Sequence, residues 1–179
     1  MELFLPPSEL DYLVWPVAKL PQRRREQAAF FKWVAVKELL FTDPAVCWKL
    51  ENGCALIAAC ERATLTSWQA RIEGFGATLA RVDGLLTPIL NSAAGKSSVR
   101  TLVVLSHDFT VLAGIDQGYA KFVRRFRLPD QDSLHREITA TMSYYDFSPE
   151  ERLFYSFGSS RIGEIDLRDA GNMGKILHE

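Results

Sequence analysis

Along this chain, apolar positions alternate in short runs and then step at three-or-four spacing, and the two patterns take turns. Glu2–Leu5 is a short apolar strand stopped by Pro6-Pro7, and Tyr12–Val17 is a second strand, rich in aromatic and β-branched residues. Pro16 within it marks an edge or a bend, because proline cannot donate to a ladder. From about Gln22 to Phe41, Ala29, Phe30, Trp33, Val34, Lys37, Leu40 and Phe41 recur at helical spacing, and Thr42-Asp43-Pro44 ends that helix. Val46–Leu50 and Cys54–Ala59 read as strands joined at Asn52-Gly53, a hairpin signal because both residues tolerate positive φ. A helix capped by Thr64 or Thr66 runs to Glu73 on the stripe Leu65, Trp68, Ile72, and Gly74 and Gly76 terminate it. Ala77–Val82 is a strand and Leu85–Leu90 a short helix or turn.

Between Asn91 and Ser98 small and polar residues replace the periodic pattern, which marks a linker between two lobes, 1–92 and 98–179. The second lobe opens with a meander: Thr101–Leu105, apolar enough to be buried on both faces, then Thr110–Ile115, a turn at Asp116-Gln117-Gly118, and Tyr119–Leu128. A helix from Gln131 to Tyr145 carries Leu134, Ile138, Met142 and Tyr145 on one stripe; Pro149 separates it from a last strand, Arg152–Phe157, and Ala170–Glu179 reads as a polar tail. Strands and helices mixed in this way predict layered α/β lobes. Trp33, Trp68, Leu56, Ile57, Val103, Val104, Phe122 and Ile138 are the expected core.

Composition narrows the function classes. The 179 residues are 47% hydrophobic and 24% charged, ordinary for a folded globular chain. A net charge of −1 provides no overall field to recruit nucleic acid or an anionic membrane. Three cysteines, Cys47, Cys54 and Cys60, give no disulfide framework and fit a reducing compartment. The first residues have no basic region and long apolar core of a signal peptide, and no run approaches the roughly 18 apolar residues that span a bilayer.

The residue types that carry chemistry do not assemble into a motif. His107, His135 and His178 lie far apart and no Cys-x-x-Cys occurs, so no metal residues are assigned. Ser106-His107-Asp108 has the letters of a triad, but neighbours on a strand point to opposite faces; it reads as a strand end entering a turn. Gly95-Lys96-Ser97 is like the end of a phosphate loop, yet Leu90 stands where the first glycine belongs. No catalytic or cofactor-binding residues are assigned. Two basic clusters remain: Arg23-Arg24-Arg25 at a helix start, where the dipole disfavours cations, and Lys121–Arg127. Strand alternation puts Phe122, Arg124, Phe126 and Leu128 of the latter toward a core, and Lys121, Val123, Arg125 and Arg127 on a basic stripe. Arg23, Arg24, Arg25, Lys121, Arg125 and Arg127 are therefore the candidate partner-binding residues.

The succession Leu5-Pro6-Pro7, Leu20-Pro21, a long helix with Glu26, Trp33 and Glu38, the hairpin into Ala55–Ala59, Trp68 on a helix, and Gly74-Phe75-Gly76 leading to Arg81-Val82-Asp83 resembles the cytoplasmic domain of type II secretion GspL and its type IV pilus relatives of the PilM, MshI and BfpC type. The resemblance covers about residues 1–157 and implies an actin-like (RNase H-type) α/β fold with mixed-sheet lobes and packed helices. The chain departs from actin-like ATPases in having no strand-turn-strand phosphate loop at its start. It also lacks the glycine expected near Ser106–Thr110 and has Pro129-Asp130 where a Gly-Gly often follows, so the resemblance favours members without a full nucleotide site.

What the resemblance implies for function is a non-enzymatic assembly scaffold, cytoplasmic, at the inner face of a bacterial inner membrane. It would dock a secretion or pilus ATPase and other inner-membrane platform proteins, with no cofactor, no nucleic acid and no membrane span in this chain; a homo-oligomer is compatible. The alternatives are a nucleotide-binding actin-like ATPase of the PilM type, which Mg-ATP-dependent melting would reveal, and a nucleic-acid-binding module using the basic stripe, which a salt-dependent mobility shift would reveal.

Overall fold

The computed structural model of the chain describes residues 2–6, 8–18, 20–84, 86–94, 100–105, 109–127, 131–148, 151–156 and 168–169. The chain divides into two compact units, Met1–Leu86 and Thr87–Glu179.

In the first unit, β1 (Glu2–Leu5) lies parallel to β5 (Arg81–Gly84) as a two-stranded sheet. β2 (Asp11–Pro16), β3 (Pro44–Glu51) and β4 (Cys54–Glu61) form a second, antiparallel sheet in the order β2-β4-β3. β4 takes the centre because Cys54–Cys60 is apolar throughout and tolerates burial on both faces. Proline ends β2, an edge strand, where no partner needs the missing N–H. The hairpin turns on Asn52 and Gly53, at φ 48° and 74°.

Helix α1 (Arg24–Glu38) covers one face of this sheet, setting buried Phe31 and Val34 against Ala55 and Ile57, with Leu13, Trp15, Val46 and Trp48 packed around them. Each large side chain buried there contributes roughly 1.5–3 kcal/mol. α1 is shorter than the expected Gln22–Phe41. Leu40 turns out of it at φ 61°, and the N–H groups of Thr42 and Asp43 donate to the Glu61 carboxylate at 2.7 and 3.1 Å. Trp33 is not core: it is 52% exposed. It stands two residues from both Phe31 and Ala35, about 160° round the helix from each. Of the other expected core residues, Ile57, Val103, Val104, Phe122 and Ile138 are buried and Leu56 and Trp68 half-buried.

α2 (Arg62–Gly74) begins ahead of both threonines named as caps, and the Thr66 hydroxyl donates to the Arg62 carbonyl within the helix, at 3.1 Å. Gly76, at φ 73°, closes it. β5 starts at Arg81, four residues later than expected for that strand.

α3 (Leu86–Ala94) runs on through Asn91–Ala94, the first half of the expected linker, while residues 95–99 lie outside the described ones. In the second unit β6 (Arg100–Leu105), β7 (Phe109–Asp116) and β8 (Tyr119–Arg127) form the expected antiparallel meander, with Gln117 and Gly118 turning at φ 52° and 83°. β9 (Glu151–Ser156) lies parallel to β6 and β10 (Arg168–Asp169) parallel to β9, so the order is β10-β9-β6-β7-β8. Thr101–Leu105 is buried at every position, as a central strand requires. α4 (Gln131–Tyr144) places Leu134, Ile138 and Met142 over Val103, Leu105, Leu112 and Phe122. The tail from Ala170 is outside the described residues.

Candidate interaction surfaces

Arg23 is the N-cap of α1, with extended backbone and no side-chain cap, and Arg24 and Arg25 occupy the first turn. All three are exposed. Arg23 approaches Glu26 only at 4.0 Å, and neither Arg24 nor Arg25 has a partner among the described residues. Three cations at a helix start oppose the dipole, so helix stability does not account for them.

Arg24 lines a groove of about 530 Å³ with Gln22, Gln27 and five consecutive residues of β3, Val46–Leu50. Gln27 is held by its side-chain amide, which donates to the Pro21 carbonyl at 2.9 Å. Lys49 pairs with Glu51 on the same strand. A second groove lies further along the same helix and strand, between Ala28, Ala29 and Lys32 of α1 and Pro44–Val46 of β3. Beside it Asp43 accepts from Lys32 at 2.6 Å and from Arg62 at 3.2 Å, and the Lys32 hydrogen bond leads in holding its carboxyl below the ordinary 3.8.

On the sheet face away from α1, Ala45, Cys47, Ala58 and Cys60 border a small, partly open and mostly apolar pocket of about 120 Å³ with Leu5, Leu10, Leu65 and Val82. Desolvation leads in raising both thiols, Cys60 to about 11 and Cys47 with a further push from the Asp83 carboxylate, although Cys47 still has surface open to solvent. Asp83 is the one charged residue in the pocket's lining, which is otherwise methyls and thiols.

The other predicted cluster lies in the second unit. Lys121, Arg125 and Arg127 are exposed on β8. Lys121 pairs with Asp116 at 3.3 Å, and Arg125 also has a partner. The simple alternation expected of this strand fails at a bulge: Ile115 pairs Ala120 and Gly114 pairs Phe122, leaving Lys121 as the extra residue. Beyond the bulge the register is regular, with Phe122, Arg124 and Phe126 on one face and Val123, Arg125 and Arg127 on the other. Phe122 and Val123 are both buried because the strand is covered on both faces at that point, whereas Arg124, expected on the core face, is exposed with Arg125 and Arg127. The basic residues thus gather at the end of β8 instead of along one face.

Ser106-His107-Asp108 and Gly95-Lys96-Ser97 lie outside the described residues, as does His178; His135 is an exposed residue of α4. Among the described residues no cluster of three His, Cys, Asp or Glu side chains could hold a metal, and no helix is long and apolar enough to cross a membrane. The sequence reading missed the β3 groove, its residues Gln22, Gln27, Val46, Trp48 and Leu50 being assigned only to elements.

No protein-family model matches the chain, and no curated protein matches its sequence. Solved structures do match its fold. A Bacteroides thetaiotaomicron protein with an actin-like ATPase fold and unknown function is 12% identical at a TM-score of 0.61, over 99% of this chain and 63% of its own. A chain of the PilM–PilN type IV pilus biogenesis complex is 15% identical at 0.67, over 95% of this chain and 64% of its own. The cytoplasmic domain of EpsL, an inner-membrane component of the Vibrio cholerae type II secretion system, is 13% identical at 0.58, over 99% and 71%. The chain spans less than two thirds of the length of the first two. At such low identity the likeness is one of backbone architecture, and it is consistent across all three: this chain has the actin-like fold.

Proposed function

We propose that the chain is a protein-binding scaffold of the kind found in the inner-membrane platforms of type II secretion and type IV pilus systems, working on the cytoplasmic face without catalysis. The observation that carries this reading is the fold shared with both a pilus biogenesis complex and a secretion-system component. The sequence supports it by lacking the glycines that would bring backbone amides to a phosphate. In this reading the chain docks the cytoplasmic ATPase of its apparatus and a second platform protein. The exposed arginines are the candidate contacts, since a planar guanidinium pairs carboxylates in two-pronged fashion.

The test is co-elution of the purified chain with the ATPase and with the platform proteins of the same cell, at low and at high salt. A complex with either is expected. Charge reversal at Arg125 and Arg127 is expected to slow association and flatten its salt dependence without unfolding the chain. The actin-like ATPase fold of the Bacteroides protein keeps one other reading in view, a nucleotide-binding protein. No complex with any of these proteins, together with a melting temperature raised by several degrees in Mg-ATP, would replace the scaffold reading by that one.

A further inference from the structure

We infer that the outer edge of β3, with the first turn of α1, receives an extended segment of a partner protein that adds to the sheet as a fourth strand and brings carboxylates to Arg24. The inference rests on the scaffold reading for the existence of a protein partner and assigns that partner a place.

The edge is available. β3 ends the order β2-β4-β3, and no described strand pairs its other side. Which backbone groups point outward follows from the hairpin. A two-residue turn at Asn52-Gly53 makes Glu51 and Cys54 the pair that exchanges both hydrogen bonds, and every second pair repeats this. The Arg62 N–H donating to the Asp43 carbonyl at 3.0 Å continues the same parity. Lys49, Cys47 and Ala45 are thereby bonded inward to β4, and the N–H and C=O groups of Val46, Trp48 and Leu50 face out.

The groove lies along that edge. Successive strand residues point to opposite faces, so a space touching all of Val46–Leu50 has to run beside the strand, past its exposed backbone. An eight-residue edge is longer than the short ones by which proteins discourage strand addition. Trp48 is half-buried and Leu50 is 45% exposed, which offers apolar contact to alternate side chains of an added strand.

Charge selects the occupant. The groove is lined by Arg24 and Lys49 and by no carboxylate. Lys49 is already neutralised by Glu51, but Arg24 is unpaired among the described residues and stands where the helix dipole disfavours it. A second copy of the chain would bring another cationic edge to Arg24, which is unfavourable. An acidic, alternately apolar segment satisfies the backbone, the apolar surface and the arginine together.

The probe is a set of 12-residue peptides selected from a random display library on the immobilised full chain, then measured by fluorescence anisotropy and amide hydrogen exchange. The selected peptides are expected to alternate apolar residues and to carry at least one Asp or Glu. Arg24→Glu and Leu50→Pro, which deletes an outward N–H and leaves the β3–β4 ladder intact, should each weaken binding at least tenfold. Arg136→Glu, at an exposed position of α4, should leave it within twofold. Saturating peptide should slow exchange of the Trp48 and Leu50 amides at least tenfold. Should Leu50→Pro fail to give the wild-type circular dichroism, Arg24→Glu and the amide protection decide. The inference is overturned if no peptide is selected, if protection falls elsewhere, if Arg24→Glu binds like wild type, or if the edge instead forms a chain dimer that Leu50→Pro abolishes. Loss of ATPase and platform-protein binding with peptide binding intact would count against the scaffold reading alone.

Discussion

Gly114→Ala would change one hydrogen to a methyl at a crowded point of the second unit. Gly114 pairs directly with Phe122 across β7 and β8, at the register shift that makes the bulge. The Phe122 ring lies over the glycine: a Cβ there would meet its Cζ and Cδ1 at 2.8 and 2.9 Å and press closer still on Cε1. The ring cannot swing away freely. It is 1% exposed, stacked on Tyr145 with centroids 4.3 Å apart, edge-on to Phe147 at 5.4 Å, and packed on Leu134, Ile138 and Met142. Overpacking a filled core costs about 1–3 kcal/mol. Against it stands a gain of roughly 0.4–1 kcal/mol from restricting the unfolded chain. The expected net destabilisation of roughly 1–2 kcal/mol is a factor of about 5–30 in local opening. All four tryptophans lie in the first unit, so fluorescence is the wrong probe. Native-state hydrogen exchange of peptides from β7, β8 and α4 reads the change directly and should accelerate by that factor. In a Phe122→Leu background the penalty should shrink, since the ring is what the methyl strikes. Exchange unchanged or slowed in Gly114→Ala, or an equal penalty in both backgrounds, would refute the reasoning.

Other expectations concern the first unit. Phe31→Ala should cost about 3–5 kcal/mol and Trp33→Ala under about 1 kcal/mol, because Phe31 is fully buried 5.1 Å from the Trp48 ring while Trp33 is exposed; urea unfolding followed by the fluorescence of the remaining tryptophans ranks them, and equal costs would return Trp33 to the core. The Asp43 carboxyl should titrate below 3.8 by NMR, chiefly through the Lys32 hydrogen bond. A depressed carboxyl stabilises the fold above its unfolded value, so this contribution is complete near neutrality and is lost as pH falls through the lower folded value; a midpoint at or above 3.8 would contradict the ion cluster. With a thiol reagent at mild alkaline pH, Cys47, raised but open to solvent, should react before Cys60, whose thiol is buried and pushed up to about 11 and should react only on unfolding; comparable rates would show that β4 opens readily.

Elements were legible where one local signal sufficed. Asn52-Gly53 turned where their positive φ was anticipated, Thr101–Leu105 proved a central strand because every side chain is apolar or small, and Leu134, Ile138 and Met142 made a helical stripe that meets a sheet. Errors came where a second constraint competed. The stripe Ala29, Phe30, Trp33, Val34, Lys37, Leu40 and Phe41 places Trp33 inside, but Phe31, Val34 and Ala35 define the buried direction of α1 and the tryptophan points the other way. On β8 the expected alternation assumes one covered face along the whole strand, but Phe122 and Val123 are covered on both faces while Arg124, on the same face as Phe122, is left exposed; the bulge at Lys121 breaks the alternation only ahead of them. A bulge has no reliable signature in one strand, because it is a property of the pairing.

The β3 edge shows the same limit from the other side. Which strand closes a sheet depends on partners distant in sequence, so no periodicity in Pro44–Glu51 reveals the groove beside it. The marks of an edge were nevertheless present in comparison with its neighbour. β4 is apolar from Cys54 to Cys60, whereas β3 opens on a proline and carries Lys49 and Glu51. A central strand does not tolerate Pro and charge in that way, whereas an edge does. The contrast between β3 and β4 marks β3 as the edge, and only the fold brings Arg24 beside it. Arg24 gains its meaning there: as part of a basic run it is one more solvated cation, but beside an unpaired strand it is the only charge in the groove that no described carboxylate neutralises. A partner contributing both a backbone and a carboxylate would satisfy two separate deficits in one act of binding, which is why the edge is a stronger candidate than either basic cluster considered by charge alone.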